Sequence, residues 1–563
     1  MYQLVTRTGT DDVIVATLDQ HGSPSSPSRH LSLNEFFRYV REQERGTTRW
    51  VWEDTARIYP VLLNQDIRVQ RCHDLRLCHV ILRNSALTAE SEIGRQDSGR
   101  WDSPVALEPS GAPGATLFDL VEADTSDGGP EESRDHEEFL LQLRAITGAD
   151  QPGRLRLLVA AESAGALIAA EMTFAGLPFR TDIHDDLLTR ELGPRVAPGY
   201  RPERLERLAA QIRRDLGDPT VNPDSPAELL RALHRAGVPA TSTRAWILKE
   251  LEHPVIEPLL LYKKLSRLLS ANGWAWMDSW ISGSRFHPEY VPGGVVTGRW
   301  AARGGGALQL PKQIRGAVVA DPGWKLVVAD AAQLEPRILA ALSADHTMAA
   351  AGRGSDLYAG IVASGVVDTR EHAKVAMLGA MYGATTGESG RLLPRLAQAY
   401  PRAIALTETA ARAGERGEIV TTRLGRSSPP PGPAWQVVQA QAYDTGATAS
   451  DESRARTQAR DWGRFTRNFV VQGSAAEWAL CWMAEIRKEL QALPASGSGF
   501  DTVPHLVFFL HDEVMVHTPE GLSARVESII TEAAATAGRL LFGEFPVDFM
   551  LTVATVDNYA AAK

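Results

Sequence analysis

Two kinds of hydrophobic pattern alternate along the chain. Residues 1 to about 105 mix short apolar runs such as RWVWED with amphipathic stretches such as LSLNEFFRYVREQ, which is typical of a small α/β domain. From residue 155 to 252 apolar residues recur at helical spacing, and SPAELLRALHRAG begins with a serine that can cap a helix. Strand-like runs return after about residue 285. The pattern predicts an α/β multidomain protein.

Two stretches interrupt this pattern. Residues 106–135 are rich in Gly, Pro, Ser and acidic residues, and we interpret 106–150 as an acidic, flexible linker region. The stretch SSPPPGPAWQVVQAQAYDTGATASDES, residues 427–453, is interpreted as an exposed loop insertion. The predicted domains are therefore 1–105 and 151–563.

Composition narrows the class of protein. The 563 residues are 44% hydrophobic, enough for substantial cores, and three cysteines are too few for a disulfide framework. No secretory leader pattern opens the chain and no uninterrupted apolar run could cross a bilayer, which predicts a cytoplasmic protein without a membrane partner. The net charge of −10 argues against a polyanionic partner, but the acid is concentrated in 121–140 while 260–320 is basic.

Two acidic sites carry candidate chemistry. KLVVADAAQLEPRILAALS, residues 325–343, joins an apolar strand to an amphipathic helix and leaves Asp330 at the joint, either as a helix cap or as a ligand. HLVFFLHDEVMVHT, residues 505–518, predicts a hairpin with Asp512 at its tip. Acidic residues at a hairpin tip are usually turn formers, but these flanking strands are too apolar to be exposed. If hairpin and strand share a sheet, Asp330 and Asp512 can hold two divalent cations about 4 Å apart.

A third element supplies positive charge. In REHAKVAMLGAMYG, residues 370–383, a stripe of four side chains recurs every four residues: Arg370, Lys374, Leu378 and Tyr382. The stripe follows one slowly drifting helical face for about 18 Å, roughly the length of a nucleoside triphosphate. An isolated helix of this kind would be read as a solvated cationic patch beside a core stripe. Beside two acidic sites it predicts that the cations bind phosphates and the apolar and aromatic end faces sugar and base.

These elements resemble, in the same chain order, the three polymerase motifs of family A DNA polymerases, the bacterial DNA polymerase I type, over about residues 155–563. The residues that match the three motifs are Asp330, Gln333, Glu335 and Arg337, then Arg370, Lys374, Tyr382 and Gly383, then His511, Asp512 and Glu513. Two further matches are VVTGRW, with Arg299, and RNFVVQGSAAE, with Asn468 and Gln472 on the same helix as Arg464.

The resemblance implies a right-hand polymerase fold of palm, fingers and thumb, preceded by a small α/β ribonuclease-H-like exonuclease domain. It implies a thumb at about 205–285, fingers at about 345–455 and a palm in the remainder of 151–563. Asp330 and Asp512 would hold two Mg²⁺ ions, with Glu513 nearby. The partners implied are primer-template DNA and deoxynucleoside triphosphates.

The resemblance also assigns roles to side chains around these motifs. Arg370 and Lys374 would bind the triphosphate, and Lys374 would protonate the leaving pyrophosphate. Gln333 and Leu378 would line the nucleotide site, Glu335 would exclude a ribose 2′-hydroxyl as a steric gate, and Tyr382 would stack near the templating base. The implied DNA contacts are Arg299, His511, Arg464, Asn468, Gln472, Lys263, Lys264 and Arg267.

The chain departs from the family pattern in both parts. Ala331 and Ala332 follow the first aspartate where Tyr-Ser is usual, and Leu378 stands where an aromatic residue is usual. Among the first 50 residues there is no Asp-x-Glu pair, and Cys78 and Ser163 stand where proofreading aspartates are expected. We therefore expect the exonuclease-like domain to be inactive.

Two further features of the first 150 residues bear on possible sites and domains. RCHDLRLCH could bind zinc, but adjacent Cys-His pairs are not the usual ligand spacing. About 150 residues precede the polymerase region, so we expect no 5′-nuclease domain among them.

The sequence thus predicts a monomeric DNA-templated DNA polymerase of the cytoplasm (nucleoid), which acts in DNA repair or gap filling by two-metal phosphoryl transfer. Two alternatives are a catalytically silent DNA-binding clamp and a two-metal nuclease. Intact Asp330, Asp512 and Lys374 speak against the clamp. The nuclease hypothesis does not account for the cationic helix that begins at Arg370.

Overall fold

The computed structural model of the protein describes residues 1–9, 11–44, 47–102, 131–197, 199–303, 310–354, 356–383, 387–442, 444–494, 497 and 499–562. The chain forms two compact units. The larger comprises Met1–Ala175, Tyr290–Ala301 and Gly323–Thr555, and the smaller comprises Gly176–Glu289, Ala302–Pro322 and Val556–Lys563. The predicted mixed α/β class is confirmed.

The N-terminal part of the larger unit is built on a five-stranded sheet in the order β3-β2-β1-β4-β5. Three strands are antiparallel, and the last two continue the sheet in parallel. Trp50 and Trp52 are fully buried, as expected of apolar side chains on a sheet covered by helices. The elements are β1 (Tyr2–Arg7), β2 (Asp12–Leu18), β3 (Arg29–Ser32), α1 (Leu33–Gln43), β4 (Arg49–Trp52), α2 (Thr55–Leu63), β5 (Cys72–Asp74), α3 (Leu75–Asn84), α4 (Glu131–Gly148) and α5 (Pro152–Ala175).

Helix α4 corrects the prediction of a flexible linker. Residues 131–148 form this helix, and its Phe139 is fully buried. Its acidic side chains look solvated in the sequence, but Asp135 is buried and accepts a hydrogen bond from the Thr6 hydroxyl at 2.8 Å. The prediction is wrong here because the partner of this carboxylate lies 129 residues away. The rest of the predicted linker, up to residue 130, lies outside the described residues.

Helix α5 lies in the core of the larger unit. Among the described helices it alone is long and apolar enough to cross a bilayer. Of its most apolar part, 67% is buried inside the protein, where α5 packs on α2 and β5. Burial of this kind is expected of a core helix, so α5 is weak evidence for a membrane span.

A buried ion pair fixes α5 within the larger unit. The Glu171 carboxylate accepts hydrogen bonds from the Tyr59 hydroxyl at 2.6 Å and from Arg487 Nε at 3.0 Å. Burial alone would raise the pKa of this carboxyl, but the guanidinium groups of Arg487 and Arg68 lower the pKa to about 2. The network therefore holds a charged carboxylate between the N-terminal sheet domain and the C-terminal part of the same unit.

The smaller unit is mostly helical, with a three-stranded sheet in the order β6-β8-β7. Its core contains the rings of Phe179, Trp276 and Phe286, whose centroids lie 5.8 Å and 5.0 Å apart in succession. The elements are β6 (Leu177–Pro178), α6 (Thr181–Leu192), α7 (Glu203–Asp215), α8 (Pro226–Arg235), α9 (Ala245–Leu248), α10 (Ile256–Asn272), α11 (Trp274–Trp280), β7 (Ile281–Ser282) and β8 (Arg285–Phe286).

The remaining chain is organised around a four-stranded sheet in the order β12-β13-β11-β14. Residues 326–329 of β11 are buried, as predicted for a strand covered on both faces. The elements are β9 (Glu289–Val291), β10 (Ala301–Arg303), β11 (Trp324–Ala331), α12 (Leu334–Leu342), α13 (His346–Ala351), α14 (Leu357–Ala363), α15 (Arg370–Tyr382), α16 (Gly387–Ala399), α17 (Pro401–Glu415), α18 (Pro433–Gln441), α19 (Ala449–Gln491), β12 (His505–Leu510), β13 (Glu513–Pro519), α20 (Ser523–Phe542) and β14 (Leu551–Val556).

The predicted loop insertion at 427–453 is partly helical. It contains α18 and the first residues of α19, so the prediction of a loop is wrong for these residues. None of the α18 residues is buried, and in this respect the segment is exposed as predicted. Pro433 opens α18 at a position where a missing N–H costs little, so its proline-rich context did not exclude a helix.

Candidate functional site

The structure brings the two predicted catalytic aspartates together at one corner of the four-stranded sheet. β11 and β13 are antiparallel neighbours, and Asp330 is the register partner of Glu513. The Ala331 N–H donates to the Asp512 carbonyl oxygen at 2.8 Å. Asp330 belongs to β11, and the residue that caps α12 is Gln333. The alternative interpretation of Asp330 as a helix cap is therefore excluded.

The hairpin tip is tight because its backbone turns sharply at His511. This residue has a left-handed φ of 56°, and the Asp512 N–H donates to the Leu510 carbonyl at 2.7 Å. A non-glycine residue in this region is uncommon and persists where surrounding structure holds it. Both strands of the hairpin are buried over most of their length. The position of Asp512 is thus fixed by buried sheet on either side.

The carboxylates differ in access to solvent. Asp330 and Asp512 are partly exposed, whereas Glu513 is only 3% exposed. Among the residues that the structure describes, no three His, Cys, Asp or Glu side chains form a metal cluster. Mg²⁺ commonly keeps several waters and takes one or two carboxylates together with substrate phosphates. The two partly exposed aspartates fit that donor set better than a site that includes buried Glu513.

Helix α15 presents the predicted stripe on its exposed face. Arg370, Lys374, Leu378 and Tyr382 are all exposed, while the opposite side of the helix is buried. The helix starts at a Thr369 cap and ends at Gly383, whose φ is 76°. The predicted helix and the shared face of its four side chains are both found.

Both ends of this stripe are bonded to groups around the start of α12. At the first end, Arg370 Nη2 donates to Asp356 at 2.7 Å, and Gln333 Nε2 donates to the same carboxylate at 2.7 Å. At the other end, the Tyr382 hydroxyl donates to Glu335 at 2.6 Å. The stripe is therefore held across the strand-to-helix junction that carries Asp330.

Asp356 is a site residue that sequence reasoning missed. It caps α14, so its pattern in the sequence is that of an ordinary helix start. Burial raises the pKa of its carboxyl, but hydrogen bonds led by that from Arg370 lower the pKa overall. The carboxylate is therefore charged and forms an ion pair with Arg370.

Glu335 is the centre of a second set of contacts. It accepts hydrogen bonds from Arg299 Nη2 and from the Tyr382 hydroxyl. Burial, together with the bond to Glu335, raises the pKa of Tyr382, and the nearby Gln472 side chain acts against the rise. Three residues that the sequence assigned to separate motifs, Arg299, Glu335 and Tyr382, thus form one hydrogen-bonded group.

Helix α19 supplies the other predicted DNA contacts near this group. The helix has 43 residues, and Arg464 lies beside Gly383, where a Cβ would be 2.8 Å from the Arg464 side chain. Asn468 Oδ1 is buried without a hydrogen-bond partner among the described residues. His511 also faces this region, and burial followed by the charge of Arg299 lowers the pKa of its imidazole.

The remaining predicted DNA contacts lie in the smaller unit. Lys264 and Arg267 are exposed on α10, and Lys263 is partly exposed one turn from Arg267. The structure therefore places these cations on one helix but not in the unit that holds Asp330.

The two residues that stand where proofreading aspartates are expected, Cys78 and Ser163, are neighbours in the structure. Cys78 Sγ lies 3.5 Å from Ser163 Oγ, and both residues are completely buried. Burial raises the pKa of the Cys78 thiol well above its usual range. This environment disfavours a thiolate, which is the form that binds zinc.

The nearby carboxylates of that domain already have protein partners. Asp74 caps α3 by accepting from the Leu77 N–H at 2.9 Å, and it also accepts from the Thr55 N–H at 2.7 Å. Burial, with a further contribution from Asp54, raises the pKa of Asp74 to about 7. Glu53 pairs with Arg76 at 3.0 Å. These acids stabilise helix starts and ion pairs of the domain.

The chain is similar to DNA polymerase I proteins of several bacteria. The chain is 25% identical over 394 residues to the thermostable DNA polymerase I of Thermus filiformis, which covers 62% of this chain and 43% of that protein. It is 27% identical over 308 residues to the DNA polymerase I of Chloroflexus aurantiacus, covering 50% of this chain and 30% of that protein. The chain thus spans less than half the length of these relatives.

A solved structure and a family model complete the comparison. The POL domain of Pol1 from M. smegmatis, in complex with DNA primer-template and dNTP, is similar with a TM-score of 0.65 and 17% identity. That likeness covers 100% of this chain and 95% of that domain, and it establishes the fold. The model of DNA polymerase family A matches residues 201–560, more than half of the chain and all of the motifs around Asp330, Arg370 and Asp512. The chain belongs to DNA polymerase family A.

Proposed function

We propose that the protein is a DNA-templated DNA polymerase that adds deoxynucleotides to a primer 3′ end, in DNA repair or gap filling. One observation carries the proposal. The exposed α15 stripe is bonded at one end, through Asp356, to Gln333 and at the other end to Glu335, on either side of the α12 start. A cationic, then apolar, then aromatic surface therefore lies beside paired aspartates, which is an arrangement suited to a nucleoside triphosphate.

The metal requirement follows from the donor set. Members of the family use divalent metal ions. Asp330 and Asp512 would hold two Mg²⁺ ions, with Glu513 nearby and the backbone carbonyl oxygen of Ala331 as a further candidate ligand. When bound, the ions would lower the pKa of the primer 3′-hydroxyl and neutralise charge on the triphosphate. The structure supports this through two partly exposed carboxylates at one fixed corner.

The two cations of α15, Arg370 and Lys374, would have different roles toward the triphosphate. Arg370 would exchange its bond to Asp356 for bidentate bonds to phosphate oxygens. Lys374 is exposed one turn further along and makes no ion pair within the described chain. Its ammonium group is free to approach the bond that breaks and to give a proton to the departing pyrophosphate.

The group around Glu335 would select and orient the nucleotide. With its carboxylate held by Arg299 and Tyr382, Glu335 would occupy the space of a ribose 2′-hydroxyl. Tyr382 would lie near the templating base, with Arg299, Gln472, Asn468, Arg464 and His511 on the primer-template DNA. These contacts would position the duplex without reading its sequence.

The domain organisation is proposed on the same basis. The thumb, at about 205–285, would lie in the smaller unit, with Lys263, Lys264 and Arg267 on duplex phosphates. The fingers would span about 345–455, and the palm would include the four-stranded sheet. The protein would act as a monomer in the cytoplasm, at the nucleoid.

Primer extension tests the function. A labelled primer annealed to a longer template should be extended by the full chain in the presence of Mg²⁺ and all four deoxynucleoside triphosphates. DNA binding without extension would instead support the silent clamp. Shortening of the primer that does not require deoxynucleotides would support the nuclease.

Leu378→Phe is expected to increase kcat/KM for deoxynucleotides about threefold to tenfold. An aromatic ring would bury about 40 Å² more apolar surface against the sugar, worth about 1 kcal/mol. The ratio of dideoxy to deoxy incorporation should change as well, since the contact is with the ribose. The control is Leu378→Met, which conserves side-chain volume. An unchanged ratio in the phenylalanine variant would show that residue 378 does not touch the sugar.

A primer with a mismatched 3′ end is expected to remain intact when the protein and Mg²⁺ are added without nucleotides. The proposal of an inactive exonuclease-like domain rests on buried Cys78 and Ser163 at the expected aspartate positions. The assay follows the length of the labelled primer over time. Shortening that is abolished by Asp74→Asn or by another acid substitution in residues 1–105 would contradict the proposal.

A further inference from the structure

The segment that carries Arg299 is packed on several sides. Trp300 meets Phe509 with ring centroids 5.2 Å apart, and a Cβ at Gly165 of α5 would lie 3.3 Å from its indole. Two turns of the segment have left-handed glycines, Gly293 with a φ of 62° and Gly298 with a φ of 85°. The packing of Trp300 therefore fixes the backbone that follows Arg299, and the two glycines allow the sharp turns that precede it.

A buried ion pair lies against both glycines. Arg426 Nη2 donates to Glu162 Oε2 at 2.7 Å, with side-chain exposures of 11% and 2%. A Cβ at Gly298 would lie 2.5 Å from Arg426 Nε, and one at Gly293 would lie 2.7 Å from Glu162 Oε1. Each charged group thus touches one end of the turn that leads into Arg299.

Stability alone is a poor explanation for this pair. Two charges removed from water lose their hydration, and well-packed apolar residues often stabilise a core as well as an ion pair does. Burial raises the pKa of Glu162, with the charge of Arg426 acting against the rise. What the pair provides is position, because the bond between the two side chains holds the guanidinium against Gly298 and the carboxylate against Gly293.

The loop that presents Arg426 is itself anchored from two sides. From the N-terminal domain, the Ser85 hydroxyl donates to the Gly425 carbonyl at 2.6 Å. From α19, the Leu424 N–H donates to Glu477 Oε2 at 2.9 Å. A Cβ at Gly425 would lie 2.8 Å from Leu87, so the loop fits closely against the N-terminal domain. The N-terminal domain therefore contacts the loop that carries Arg426 directly.

We propose that Glu162 and Arg426 are positioning residues: they fix the turn at residues 293–298 so that Arg299 reaches Glu335. The inference rests on the proposed function, since Glu335 is the residue expected to meet the sugar of the incoming nucleotide. It also assigns a role to the exonuclease-like domain, which holds the loop of Arg426 in place. Neither Glu162 nor Arg426 belongs to the motifs found in the sequence.

Glu162→Gln tests the proposal because it removes the charge and keeps the size of the side chain. We expect kcat for correct incorporation to fall about 10-fold to 100-fold, the range that a small misplacement of a site residue produces. Discrimination against ribonucleotides should weaken, whereas the KM for the deoxynucleotide should change less than kcat. The effect should not add to that of Arg299→Ala in the double variant, because both changes disconnect Arg299 from Glu335.

Glu171→Gln is the matched control. Glu171 is on the same helix and forms an equally buried ion pair with Arg487, at 2.7 Å, away from the turn of Arg299. If loss of stability were the cause, this variant would show the same loss of selectivity at a matched decrease in Tm. Arg426→Lys is a milder second variant should Glu162→Gln fail to fold, and it should show the same change in discrimination.

Hydrogen exchange separates failure of this proposal from failure of the proposed function. The amides of Val295 and Gly298 are bonded to the Arg299 and Val295 carbonyl oxygens at 3.0 and 2.7 Å. Their exchange rates should be higher in Glu162→Gln than in the wild type and should be unchanged in Glu171→Gln. This expectation holds whether or not the protein extends primers. Unchanged exchange in Glu162→Gln would overturn the proposal.

Discussion

Replacing Asp512 by alanine is expected to slow primer extension about 10³-fold or more, equivalent to about 4 kcal/mol of transition-state stabilisation. The carboxylate is one of two that would hold the metal ions, and a single aspartate leaves the site with half of its protein charge. The fold should survive, because the bond that joins this residue to β11 uses its backbone carbonyl, which accepts from the Ala331 N–H at 2.8 Å. Single-turnover extension with excess enzyme measures the chemical step.

Glu520→Gln is the control for the loss of a carboxylate from the same pair of strands. Glu520 follows β13 at the end opposite Asp512 and pairs with Lys325 at 3.3 Å. Its exposed ion pair should contribute little to stability, so the variant should extend primers at the normal rate. Activity retained in Asp512→Ala would falsify the metal assignment. Equal losses in both variants would point to damage to the sheet.

Replacing Lys374 by alanine is expected to lower kcat about 100-fold or more, the usual contribution of a positioned general acid. Arg370→Ala should instead act mainly on the KM for the nucleotide, because Arg370 would bind phosphate equally in the ground state and transition state. This split follows from their places on α15, where the arginine is held by Asp356 and the lysine makes no ion pair in the described chain. Steady-state and single-turnover kinetics with one deoxynucleotide provide both constants.

Lys374→Arg distinguishes charge from proton transfer. A guanidinium keeps the charge but does not lose a proton at ordinary pH, so nucleotide binding should return while kcat stays low. Lys325→Ala removes a lysine from the far end of β11 and should have no effect on either constant. If the arginine variant restored kcat fully, Lys374 would act by charge alone.

The sequence by itself determined the local elements of this site. A run of apolar residues ending at Asp330, a hairpin with Asp512 at its tip, and side chains every four residues from Arg370 to Tyr382 are patterns within single elements. Strand and helix periods fix which side chains share a face, so these predictions need no tertiary information. The family relationship could be recognised because these elements occur in a fixed order along the chain.

The tertiary structure alone decided how the elements meet. Pairing of β11 with β13 joins residues 183 to 195 positions apart, a register that the strand period by itself does not specify. The same holds for Asp356, which looks like a helix cap in the sequence and proves to bond both Arg370 and Gln333. Such contacts depend on which distant groups the fold places within hydrogen-bond distance.

Charge is the property for which the sequence was least informative. The acidic residues of α4 predicted a solvated linker, yet Asp135 is buried against Thr6. Glu162 gave no signal, yet it pairs with Arg426 across 264 residues. A charged side chain is stable in the interior only where a partner compensates its lost hydration, and the identity of that partner is a property of the folded chain. The residue types and their spacing therefore determined the protein family, while the tertiary packing decided which charged side chains pair with each other.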